Sequence, residues 1–108
     1  MLIGKRLRDK SSLFAQRLRA VAHPHRLAIL YFLAHDPQEV RDLSIQLDLS
    51  ASLIVHHLKK MTIAGWAKRV KQGSRVTYEI EEGAPVSLVE TFLKDTPFTR
   101  FVLERRKE

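Results

Sequence analysis

The apolar residues of this chain recur at helical spacing as far as Gly65 and then switch to strand spacing. From Ser12, a residue suited to cap a helix, Phe14, Leu18 and Val21 mark one face of a first helix, with Arg17 and Arg19 off that stripe. Residues 1–11 read as a basic, frayed arm ahead of it. His23-Pro24 interrupts the pattern, Pro being suited to the first turn of a new helix. Leu27 to Ala34 is apolar around its whole circumference, so the second helix is predicted at the buried centre. Asp36-Pro37 signals a turn, and Val40, Leu43 and Leu47 give a short third helix. Asp48 follows at a position where the chain needs a turn with positive φ, which Asp tolerates better than most residues.

Ser50 is predicted to cap a fourth helix and Gly65 to end it. This helix has two faces. Ile54, His57, Leu58 and Met61 share one side, while Ser52, Val55, His56 and Lys59 repeat the same spacing on another. The first is suited to pack and the second to be presented. A short helix, a tight turn and a second amphipathic helix make a helix-turn-helix. The period then changes: Val76, Tyr78 and Ile80 alternate with Thr77 and Glu79, and Gly73-Ser74 suits a two-residue II′ turn, so residues 68–80 read as a hairpin. Val86, Val89 and Phe92 or Leu93 predict a fifth helix, and Thr96-Pro97 opens a short segment with Phe98, Phe101 and Val102 on one face. The expected division is an arm over 1–11, a folded domain over 12–95 and a helical extension over 96–108.

Composition sharpens this picture. With 44% hydrophobic and 29% charged residues the chain has the balance of one globular domain. A net charge of +7 and a pI near 10.1 favour a polyanionic partner, nucleic acid or an anionic membrane surface. The excess of Lys and Arg lies in residues 1–26 and in the hairpin, whereas the two-faced helix carries only Lys59 and Lys60. A helix that reads and flanks that grip follow, since phosphate contacts supply most affinity and base contacts most specificity. The chain has no cysteine, which excludes disulfides, thiolate metal sites and cysteine nucleophiles. Its longest apolar run, Leu27 to Ala34, is too short to span a bilayer, and residues 1–10 lack the apolar core of a secretory signal, so a cytosolic protein is expected.

In order along the chain, Ala22-His-Pro-His-Arg-Leu-Ala-Ile-Leu30, Val40-Arg-Asp-Leu43, Leu49-Ser-Ala-Ser52, His56-His-Leu-Lys-Lys-Met-Thr-Ile-Ala-Gly65 and Gly73-Ser-Arg-Val-Thr-Tyr78 resemble the ArsR-type winged-helix repressors. The likeness covers residues 20–80 and is looser at both ends. It implies a mainly α, homodimeric winged helix-turn-helix with a small β-hairpin, joined through its first and last helices. It also implies a palindromic operator in double-stranded DNA, left when an effector binds. By position it carries base reading to Ser52, Val55 and His56, with Ser50, Ala51, Leu53 and Lys59 close by, and backbone contact to the wing residues Arg69, Lys71, Gln72, Ser74 and Arg75. The family usually has Thr or Ser where this chain has Leu53 and Val55, so apolar contact with a thymine methyl replaces part of the hydrogen-bonded readout. Trp66-Ala67 stands where the family tends to have Leu-Val, and reads as added packing under the wing. The metal-sensing branches carry a Cys-rich third helix or paired Asp, His and Glu ligands on the last helix. Neither is present, and the resemblance leaves the effector unnamed.

Other residues carry plainer readings. His57 falls on the packing stripe and reads as structural. His56 lies opposite and is suited to donate to a phosphate or a guanine edge. His23, His25 and His35 lack a carboxylate or thiolate at a recurrent ligand spacing, so no metal and no cofactor is expected. Leu13, Phe14, Leu18 and Val21, with Val89, Phe92 and Leu93, form apolar faces on the end helices that a second copy would cover. No catalytic constellation is present. Two other classes fit the same residues: a protein–protein interaction module docking through Leu53 and Val55, and a sequence-tolerant architectural DNA-binding protein.

Overall fold

The computed structural model describes residues 2–87 of the chain. Four helices, α1 (Leu2–Arg19), α2 (Pro24–His35), α3 (Val40–Leu47) and α4 (Ala51–Ile63), precede a hairpin of β1 (Ala67–Gln72) and β2 (Arg75–Ile80). Helix α1 begins ten residues earlier than the Ser12 cap implied, and the basic segment expected to fray is its first half. The physical reason lies in the pattern: Ile3, Leu7, Phe14 and Leu18 continue one helical stripe, and the intervening Lys and Arg are good helix formers. The stripe finds little to pack on, since Ile3 is 83% and Leu7 64% exposed.

The caps follow the local chemistry. His23 is the N-cap of α2, its Nδ1 accepting from the His25 backbone N–H at 3.1 Å, with Pro24 in the first turn. Asp48 adopts the left-handed conformation at φ 54° and ψ 49°, and the Leu49 N–H donates to the Ser44 carbonyl. Ser50 caps α4, its hydroxyl accepting from the Leu53 N–H at 3.2 Å. Gly65, at φ 83°, turns the chain out of α4.

The core gathers Ile29, Leu30 and Leu33 of α2, Leu43 of α3, Ile54, Leu58 and Met61 of α4, and Trp66 at the root of the hairpin. Helix α2 is central, as its apolar circumference predicts. Trp66 is fully buried, and its indole N–H donates to the Arg17 carbonyl at 2.7 Å, tying the end of α1 to the start of the wing. Val21, expected on a dimer face, is instead 2% exposed in this single chain. It lies past the end of α1, where the chain turns towards α2 and points the side chain inward.

Strands β1 and β2 pair antiparallel from Ala67 opposite Ile80 to Gln72 opposite Arg75, leaving Gly73-Ser74 as the two-residue loop. Gly73 has φ 63° and Ser74 does not take positive φ, which fits the expected II′ turn. One feature was not legible in the sequence. Gln38, just before α3, exchanges two backbone hydrogen bonds with Tyr78, donating at 2.9 Å and accepting at 2.7 Å, so the wing is anchored on the helix-turn-helix. Val89, Phe92, Leu93 and the extension over 96–108 lie outside the described residues.

Candidate nucleic-acid interface

Helix α4 divides as its two spacings predict. Ile54, His57, Leu58 and Met61 are buried, while Ala51, Ser52, Val55, His56 and Lys59 are exposed and Leu53 is half-buried. Val55 keeps 45% of its surface in solvent. The four residues Ser52, Val55, His56 and Lys59 therefore form one outward strip of small, apolar, imidazole and ammonium groups. Such a set offers hydrogen-bond donors, a methyl-sized contact and one charge to a groove. Its framework is stiff, because the Ser50 cap, the Asp48 turn and four buried side chains fix α4 against the core.

The wing supplies the cations, unevenly. Arg69 and Lys71 are exposed on β1, and Gln72, Gly73 and Ser74 form an exposed tip. Lys68 pairs with Glu79 across the strands at 3.2 Å, and that hydrogen bond and charge raise its pKa. Arg75, placed by the sequence among the backbone-gripping residues, bonds through Nε to the Glu39 carboxylate while its side chain remains 70% exposed. It thus reaches solvent as half of an ion pair. Nothing in the local sequence signals this contact, since Glu39 lies 36 residues earlier and is brought near by the Gln38–Tyr78 bridge.

Under the strip lies an arrangement that spacing alone did not disclose. His57, on the packing face, meets His23 and His25 at the start of α2, with ring centroids 4.7 and 5.2 Å away. His25 Nδ1 and His57 Nε2 are 3.2 Å apart, in hydrogen-bonding contact. His57 is 4% exposed, and burial, together with the charges of His23, Arg26, His25 and His56, lowers its pKa to about 4. Burial and the neighbouring Arg26 and His25 lower that of His23 as well. His35 is elsewhere, its Nδ1 donating to the Tyr31 carbonyl at 2.8 Å. The sequence reading of His57 as a packed residue holds; its two histidine neighbours were missed because they lie 32 and 34 residues away. No helix among the described residues is long and apolar enough to cross a membrane.

A helix-turn-helix whose second helix shows a solvent-facing strip beside a cationic hairpin defines a winged helix-turn-helix protein, the architecture of DNA-binding transcriptional regulators. Residues 23–68 match the model of the bacterial regulatory proteins of the arsR family, so in this segment the chain is similar to that family. Solved structures agree. A predicted DNA-binding transcriptional regulator from E. coli is 29% identical with a TM-score of 0.73, covering 82% of this chain and 94% of its own. The transcriptional repressor PagR of Bacillus anthracis is 28% identical with a TM-score of 0.69, over 77% of this chain and 95% of its own. The homodimeric winged helix-turn-helix domain of Mb0332 from Mycobacterium bovis, at 20% identity, shares the fold, with a TM-score of 0.68 over 95% of this chain and 89% of its own. A search of the curated proteins found no match.

Proposed function

We propose that the chain is a cytoplasmic, homodimeric repressor that reads a palindromic operator in double-stranded DNA. The observation that carries this reading is the strip on α4: Ser52, Val55, His56 and Lys59 are held outward by a buried opposite face, beside a hairpin whose Arg69 and Lys71 are exposed. Ser52 and His56 read base edges, Val55 meets a thymine methyl, and Lys59, Arg69 and Lys71 meet phosphates. The dimer is supported by the exposed stripe of α1, where Leu7, Phe14 and Leu18 line an apolar groove and Leu13 stands 65% exposed. A second copy covers that surface and sets two α4 helices about 34 Å apart, one turn of duplex. Repression is supported by the likeness to PagR, a transcriptional repressor.

A gel-shift titration at physiological salt, with the DNA upstream of the chain's own gene against random duplex, tests the reading. The expected preference is on the order of 10³ or more. His56→Ala weakens the operator complex by about 1–3 kcal/mol and leaves random duplex unchanged. Equal binding to both duplexes would make the chain a sequence-tolerant architectural protein. Binding to neither would leave the strip as a protein-docking face.

A further inference from the structure

We propose that His23, His25 and His57 form a binding site for one zinc-like transition-metal ion in each protomer. Each ring offers one nitrogen, and the three nitrogens all lie within 4.8 Å of one another. In a tetrahedral site with Zn–N bonds of about 2.0–2.1 Å, neighbouring nitrogens are about 3.3 Å apart. His25 Nδ1 and His57 Nε2 are already at 3.2 Å. The ring centroids, 4.7 to 5.2 Å apart in the three pairs, match the roughly 5 Å that such an ion imposes on its imidazoles. Small rotations of His23 and His25, both half-buried, close the remaining gap.

The chemistry of the cluster points the same way. Among the described residues His57 Nδ1 has no partner, and it is Nε2, on the other side of the ring, that faces the cluster and would take the ion. Three imidazoles from two separate helices converging on one point is an expensive arrangement for packing alone, since apolar side chains fill such a space without unmet hydrogen bonds. In the free protein one proton is shared between His25 Nδ1 and His57 Nε2. Moving the His25 proton to its other ring nitrogen frees both lone pairs, with no net proton release. His23 exchanges its hydrogen bond from the His25 backbone N–H for the metal. An all-imidazole set selects zinc, copper, nickel or cobalt over magnesium and calcium, and three ligands leave a fourth position for water. Arg26 and the positive end of α2 oppose the ion, which places the affinity below that of a four-ligand structural zinc site. A bound ion would clamp the start of α2 to the middle of α4. The inference is independent of the DNA-binding reading.

The test is titration of the full chain, freed of metal by chelation, with Zn²⁺ by calorimetry and with Co²⁺ by visible absorption. We expect one ion per chain, the intense ligand-field bands of a tetrahedral Co²⁺ site, and a zinc-dependent rise in melting temperature. His23→Asn keeps a capping side chain and removes the imidazole; His25→Gln removes the second ligand. Each is expected to weaken binding by roughly tenfold or more and to abolish the thermal shift, with circular dichroism confirming that the variants fold. His35→Gln binds as the native chain does. The proposal is overturned if the native chain binds neither ion, if His23→Asn and His25→Gln bind undiminished, or if His35→Gln is the variant that loses the metal.

Discussion

Trp66 holds three parts of the molecule at once, and replacing it by Phe separates its contributions. The indole is fully buried and its N–H donates to the Arg17 carbonyl at 2.7 Å, while its own backbone N–H and carbonyl bond to Met61 and Glu81 whatever the side chain. The substitution removes one hydrogen bond, with a net contribution of about 0.5–1.5 kcal/mol, and leaves the Arg17 carbonyl without that partner. It also shrinks a bicyclic indole to a single ring in a closed core, a further cost of about 1–2 kcal/mol for a space that relaxes only in part. The combined loss, about 1.5–3.5 kcal/mol, is a large share of the roughly 5–15 kcal/mol available to a domain of this kind. Urea unfolding followed by far-UV circular dichroism measures it directly; fluorescence does not serve, because Trp66 is the only tryptophan in the chain. A loss below about 0.5 kcal/mol would refute the view that Trp66 ties α1 to the wing.

Three further expectations follow from named contacts. Burial lowers the folded-state pKa of His57 to about 4, against 6.5 for a solvent-exposed imidazole. The unfolded chain therefore takes up a proton that the folded chain refuses, and stability falls as pH drops from 6.5 towards 4. In chelator-treated buffer the loss between pH 7 and pH 5 is about 2 kcal/mol, checked by urea unfolding at both values; unchanged or increased stability at pH 5 would contradict it. Glu39→Gln releases Arg75 from its ion pair and is expected to steepen the salt dependence of DNA binding by about one phosphate contact, read from log Kd against log salt; an unchanged slope would show that Arg75 is not restrained by Glu39. Leu7→Glu combined with Phe14→Glu places charge on the exposed α1 stripe and is expected to give a folded monomer by sedimentation; a persistent dimer would move the interface elsewhere.

Much of this was legible wherever local chemistry decides. The Ser50 cap, the positive φ of Asp48, the Gly65 exit and the Gly73-Ser74 turn each depend on residues within four positions of one another. The two faces of α4 were legible for the same reason, since helical spacing alone sorts Ile54, His57, Leu58 and Met61 from Ser52, Val55, His56 and Lys59. The reading failed where distance in sequence mattered. Helix α1 starts at Leu2 and not after Ser12, because the apolar stripe that runs on through Leu7 and Ile3 outweighs a lone capping residue. Val21 faces inward because the helix whose stripe it would continue ends two residues before it. The Glu39–Arg75 pair, the Gln38–Tyr78 bridge and the meeting of His57 with His23 and His25 join residues 32 or more positions apart, and depend on how α2 and the wing dock on α4.

The central claim is that one surface, the outward strip of α4 and the exposed cations of β1, is the one that meets DNA. Chemical-shift mapping of the ¹⁵N-labelled chain during titration with the duplex from upstream of its own gene examines this residue by residue. The account predicts the largest changes at Ala51, Ser52, Val55, His56 and Lys59, with a second group at Arg69, Lys71 and the Gly73-Ser74 tip, and little change on the exposed α3 residues Arg41 and Ile45. Changes confined to α3 or to the α1 stripe, with the α4 strip unaffected at saturation, would contradict it.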